Sequence, residues 1–118
     1  MYERIENWLN TVLAKPFPKK VVAVGFNLYE DDENEWSMEV VGASRFDPQD
    51  DDWLCEEVTD FDTREDPLAW TKAAEWDEVH REVAAHLKKY LQNGLYADKL
   101  RKLKGVAVGF VDGDLEIL

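Results

Sequence analysis

The residues of this 118-residue chain best suited to nucleophilic chemistry are Cys55, His80 and His86, a thiol and two imidazoles that could take its proton. The setting opposes that use. Glu56 and Glu57 follow Cys55 directly, in the most acidic part of the sequence, where a thiolate finds no positive charge to stabilise it. A structural cysteine in a half-buried strand is the expectation. Glu78, Glu82 and His86 recur at four-residue spacing, so on a helix all three would share one face and could reach one metal ion. A zinc-protease helix instead needs two histidines four residues apart with a glutamate beside the first, and His80 and His86 are six apart. A solvated face with ordinary charge pairs explains the pattern better. The acidic segments 47–52 and 60–65 suit hard cations in donor type, but neither has the glycine at the sharp bend and the terminal glutamate of a calcium loop. No glycine-rich phosphate loop and no serine in a nucleophile elbow is present. No catalytic residue, metal or cofactor is therefore assigned.

Charge is the stronger signal. The formal net charge is −12, which disfavours binding to nucleic-acid phosphates or to an anionic membrane surface. Its distribution is uneven: residues 30–66 hold 16 of the 26 acids and two bases, Arg45 and Arg64, a local net of −14. The rest of the chain carries 10 acids against 12 bases. Such asymmetry predicts a polarised molecule with one acidic face turned to a basic protein. Large apolar residues lie among these acids: Phe46, Trp53, Leu54, Phe61, Leu68 and Trp70. Aromatic anchors ringed by charge suit a protein interface, although the same rings could equally point into the core. Asp50, Asp51, Asp52, Trp53, Glu56, Glu57, Asp60 and Asp62 are the candidate partner-binding residues.

The elements that would position these residues follow from hydrophobic periodicity. Ile5, Trp8, Leu9, Val12 and Leu13 mark an amphipathic N-terminal helix, ended by Pro16 and Pro18. Residues 21–29 are β-branched and apolar on both alternating faces, as in a central strand covered on both sides. The polar segment 30–34 turns the chain into a second, antiparallel strand running from Trp36 towards Phe46. A turn at 47–52 and a peripheral third strand at 53–58 follow, and Asp66 with Pro67 resembles a helix start. Trp76, Val79, Val83, Leu87, Tyr90 and Leu91 place a long helix over 74–93, stopped by Asn93 and Gly94, with Lys88 and Lys89 favourable to its dipole. A short basic helix is expected over 95–103.

The pentapeptide Val-Ala-Val-Gly-Phe occurs twice, at 22–26 and at 106–110. Two central strands under the same packing constraints account for it, each glycine admitting a close neighbour. The second copy runs into Asp112-Gly113, a tight hairpin signal, so the chain should end in a strand whose edge leaves pairing across a dimer open. The expected fold is one α+β domain over residues 1–118. It has a mixed or antiparallel sheet of about four to five strands, with the N-terminal helix and long central helix packed mainly on one face. A single cysteine excludes an intramolecular disulfide, and residues 1–8 carry two acids where a secretory signal is basic, so a cytoplasmic location is expected.

In length and acidity the chain resembles the immunity proteins of bacterial polymorphic-toxin and contact-dependent inhibition systems. Residues 26–31, 35–42 and 104–114 are also similar to stretches of small Firmicute proteins. The resemblance implies a nonenzymatic domain that occludes a cognate basic toxin, such as a nuclease, and it supplies no binding residues. The alternatives are a small cytoplasmic adaptor or regulatory domain, and an enzyme or small-molecule binder with a site that carries no motif.

Overall fold

A computed structural model describes residues 1–63, 66–111 and 113–118, with the side chains of Asp51, Thr59, Asp60, Phe61 and Asp62 outside the description. Arg64, Glu65 and Asp112 lie outside it entirely. The chain folds as an α+β structure in the order α1 (Tyr2–Leu13), β1 (Ala23–Asp32), β2 (Glu35–Ala43), a 3-10 turn (Asp51–Cys55), β3 (Glu57–Asp62), β4 (Leu68–Thr71), α2 (Trp76–Asn93), α3 (Ala97–Arg101), β5 (Gly105–Phe110) and β6 (Glu116–Ile117).

β1 lies at the middle of an open mixed sheet of order β3-β2-β1-β5-β6. It pairs antiparallel with β2 and parallel with β5. β3 and β4 share the outer edge of β2, β3 against Val41–Ala43 and β4 against Glu35–Met38, both antiparallel. β5 returns antiparallel to β6. The β1–β2 turn needs one residue in the left-handed region, and Asn34 takes it at φ 61°. Asparagine bears that conformation better than most side chains.

Strand alternation sends Val24, Phe26 and Leu28 to one face with Met38, Val40, Val106 and Val108 beside them. There they meet Ile5, Leu9 and Leu13 of α1 and Val79, Val83 and Leu87 of α2 in the main core. Both helices therefore lie over this front face, as their apolar stripes predict. Lys99 of α3 locks α1 in place, donating to the carbonyls of Leu13 (2.7 Å) and Lys15 (2.6 Å) that the helix end leaves open. Tyr90 is fully buried, and burial raises its phenol pKa. Its hydroxyl donates to Asn10 Oδ1 (2.7 Å) and accepts the Tyr96 N–H (3.2 Å). Gly94 makes room for that ring: a Cβ there would lie 2.5 Å from Tyr90 Cε2.

The two copies of the pentapeptide are adjacent parallel strands, staggered by two residues so that Val24 pairs with Val106 and Phe26 with Val108. An even stagger keeps large residues on the front face and Ala23, Gly25, Ala107 and Gly109 on the back. A Cβ on Gly25 would meet the Leu54 side chain at 2.5 Å, and one on Gly109 would meet the Asp114 backbone oxygen at 2.6 Å.

Three expectations are corrected. Residues 53–58 are not one strand: Trp53, Leu54 and Cys55 belong to the 3-10 turn and β3 starts at Glu57. Cys55 is exposed rather than half-buried in a strand. No helix starts at Asp66-Pro67; β4 begins at Leu68 and brings the sheet to six strands among the described residues. Leu68 and Trp70 alternate with exposed Ala69 and Thr71, a period-two pattern that pairs with β2, while Pro67, lacking an N–H, stands just outside the ladder. α1 secures the segment by Arg4 to Ala69 O (2.6 Å) and Trp8 Nε1 to Asp66 O (3.1 Å). Trp76, counted among the apolar positions of the long helix, is 59% exposed at its first turn.

Candidate functional site

The back face of the sheet is built differently from the front. Its covered half is floored by Ala23, Ala43 and Ala107, and on these small residues rests Trp53, fully buried, with Phe46 edge-on to it at 5.1 Å and Leu54 and Leu115 packed alongside. Gly105 lies under the Phe46 ring, which leaves no room there for a Cβ. The turn that delivers Trp53 is held by aspartates. Asp47 Oδ1 accepts the Gln49 N–H (2.9 Å), and Asp50 Oδ1 accepts the Asp52 N–H (3.1 Å) and so caps the 3-10 turn.

The acids of the candidate interface therefore divide by role. Asp52 and Glu56 are exposed, Glu57 is half-buried, and Asp50 is half-exposed, both capping the turn and pairing with Arg45 at 3.4 Å. Trp53 is a core residue of the back face and is not presented to a partner. The side chains of Asp51, Asp60 and Asp62 lie outside the described residues. Of the interleaved apolar residues, Leu68 is buried and Phe46, Leu54 and Trp70 are partly buried; Phe61 is not described. The described rings of the acidic stretch thus serve the fold, and its charge is what reaches solvent.

Further along the back face, Glu39 is only 4% exposed yet carries a carboxylate. It accepts hydrogen bonds from Asn27 Nδ2 (3.1 Å) and the Tyr29 hydroxyl (2.6 Å), which compensate its removal from water. Beyond it the β1–β2 hairpin ends in Glu30, Asp31, Asp32, Glu33 and Glu35, all exposed. The structure does not gather the acidic stretch into one patch. One group sits on the 3-10 turn, a second at the hairpin, and the Asn27–Glu39–Tyr29 cluster lies between.

Two open grooves, one on the back face and one on the α2 side of the sheet, share Phe110, Val111 and Gly113 as a common wall. One, of about 300 Å³, includes Asn27, Asp52, Cys55 and Glu57. The other, of about 470 Å³, includes Leu28, Tyr29, Glu30 and Trp76.

The residues weighed for metal chemistry are used elsewhere. Glu82 pairs with Lys72, and His86 packs against the Tyr2 ring at 5.9 Å. Burial holds the His86 pKa below the usual imidazole value, helped by the N-terminal ammonium. His80 and Lys88 both reach Glu116 at 3.0 Å, tying β6 to α2. These bonds, led by that from Lys88, lower the Glu116 pKa. Among the described residues no helix is long and apolar enough to cross a membrane. Neither a protein-family model, a characterised protein nor a solved structure matches the chain.

Proposed function

We propose that the chain is a nonenzymatic protein-binding domain whose acidic back face occludes a basic protein, in the manner of an immunity protein that neutralises a toxin such as a nuclease. The observation that carries this is the segregation of charge: residues 30–66 have a net charge of −14 on a scaffold that is otherwise nearly neutral. Exposed Asp52 and Glu56 from this stretch stand at one end of the back face, and the exposed hairpin acids stand at the other. A nuclease binds phosphates with clustered lysines and arginines, and carboxylates at both ends of a sheet face compete for those cations. The buried aromatic platform anchors the 3-10 turn whose backbone carries Asp50, Asp52 and, just beyond it, Glu56, which lowers the ordering cost of binding.

Calorimetric titration against the purified product of the adjacent gene tests this. Affinity is expected to fall steeply with salt and to drop by about tenfold or more when Asp50, Asp51, Asp52 and Glu56 are replaced by their amides, as for charges that steer and hold an oppositely charged partner. Absence of association, or an affinity indifferent to both changes, would overturn the proposal.

A further inference from the structure

Trp76 is the most exposed aromatic residue among those that the structure describes, and it is not loosely held. Its ring meets Phe110 nearly perpendicularly (87°) at 6.1 Å, and Phe110 meets Trp36 at 5.8 Å. Trp36 is buried and donates its indole N–H to the Lys72 carbonyl at 2.9 Å. A three-ring ladder thus runs from the sheet interior to solvent and ends in an indole that flanks the 470 Å³ groove.

The chemistry of that groove is specific. Leu28, Tyr29, Phe110 and Val111 make its walls apolar, and Glu30 is the one charged side chain among the described residues that line it. Asp31, Asp32 and Glu33 continue the negative charge along the hairpin. On the far side of Trp76, Arg81 is already paired with Asp77 at 3.6 Å. Glu75, Asp77 and Glu78 also offset the positive end of α2, which would otherwise repel a cation. An exposed indole beside a carboxylate, with an apolar slot between them, fits a flat cation on an alkyl stem. The guanidinium stacks on the ring and bonds to the carboxylate, and the stem lies along the apolar walls.

We propose that the Trp76–Glu30 groove is an arginine-binding site, and that its occupant is an arginine side chain projecting from the basic protein engaged by the acidic back face. The site rests on the proposed function for its partner but is separate from the 3-10 turn. Phe110, Val111 and Gly113, which its wall shares with the neighbouring groove, join the two.

The test uses a blocked Gly-Arg-Gly-Arg-Gly peptide and its citrulline counterpart, followed by the indole ¹H–¹⁵N signals of the full chain, with Trp76 assigned by Trp76→Phe. The arginine peptide is expected to shift the Trp76 signal saturably, and the uncharged citrulline peptide to bind at least about tenfold more weakly. Glu30→Gln is expected to weaken the arginine peptide severalfold, and amide replacement of Asp52 and Glu56 to leave it within about twofold. Trp76→Leu, at an exposed position, removes that reporter, so its arginine-peptide binding is read by calorimetric titration and is expected to be lost. Equal binding of the two peptides, or undiminished binding by Trp76→Leu, would overturn the inference. Salt-sensitive association with the adjacent gene product that survives such a result would leave the proposed function standing. A Trp76 response without that association would support the groove and count against the proposed function alone.

Discussion

The two faces of the sheet use the same strands and opposite strategies. The front face places Val24, Phe26, Leu28, Met38, Val40, Val106 and Val108 under two amphipathic helices. The back face offers Ala23, Ala43 and Ala107, and over these the chain lays Trp53. Large strand residues leave room for helices at their usual distance. Small ones let a single aromatic ring descend onto the backbone, so a short 3-10 turn suffices as cover. Charge follows the same division. The helices carry paired ions, Arg81 with Asp77, Lys72 with Glu82 and Arg101 with Asp98. The back face and its hairpin present Asp52, Glu56 and residues 30–33 to water. A face covered so thinly is free to bear function, whereas the front face is occupied by the fold.

The sharpest way to break this comparison is Trp53→Ala. If one ring holds the back-face cover, its loss should cost about 3–5 kcal/mol in denaturant unfolding, as for other buried tryptophans. The cost should come with release of the 3-10 turn, seen as faster amide exchange over residues 51–56. A loss below about 1 kcal/mol would mean that the cover is held otherwise.

Glycine substitutions sharpen the same point. At Gly109 an added methyl meets backbone, which cannot move aside, and Gly109→Ala should destabilise by about 1–3 kcal/mol. At Gly25 it meets the mobile end of Leu54, and Gly25→Ala should cost less. Thermal melts of the two variants would rank them.

Smaller effects separate the charges of the two faces. Replacing Asp31 and Asp32 by asparagine should raise stability by a few tenths of a kcal/mol at low salt, and the gain should vanish near 1 M salt, where screening removes their mutual repulsion. On the front face the sign is opposite. Glu116 has its pKa depressed in the fold by Lys88 and His80, so the stability it contributes is complete above its unfolded value of 4.5 and is lost as pH falls through the lower folded value. The group is more than a third exposed, and under about 1 kcal/mol is at stake. His86, also depressed, adds a loss that begins as pH falls below 6.5. Glu116→Gln should flatten the lower part of the acid limb and leave the upper part in place.

Much of the front face was legible in the sequence because large apolar residues at periods of two and 3.6 announce it: α1, β1, β2, α2 and β5 all follow that pattern. β4 was hidden by its length of four residues and by an Asp-Pro pair that imitates a helix start. The back-face core was harder, since alanine and glycine carry almost no hydropathy signal. The signal was nevertheless present. In Val-Ala-Val-Gly-Phe every second residue is small, which marks one strand face for helices and the other for a close-lying cover, and two adjacent copies offset by an even number of residues double the mark. Composition located the acidic stretch but not its division between turn and hairpin, which depends on sheet topology. Trp76 stands in α2 as its spacing predicts, but periodicity does not give its exposure, because a helix's first turn can satisfy the periodicity and still overhang solvent.

The most direct test of the central claim compares faces in one binding assay. Asp50, Asp52 and Glu56 of the back face, or Glu3, Glu82 and Asp98 of the helical elements, are converted to their amides, and affinity for the adjacent gene product is measured at low salt. Both sets remove three charges, so net charge is matched. The back-face variant is expected to lose about tenfold or more and the helical variant less than about twofold; equal losses would show that net charge alone, and not this face, drives association.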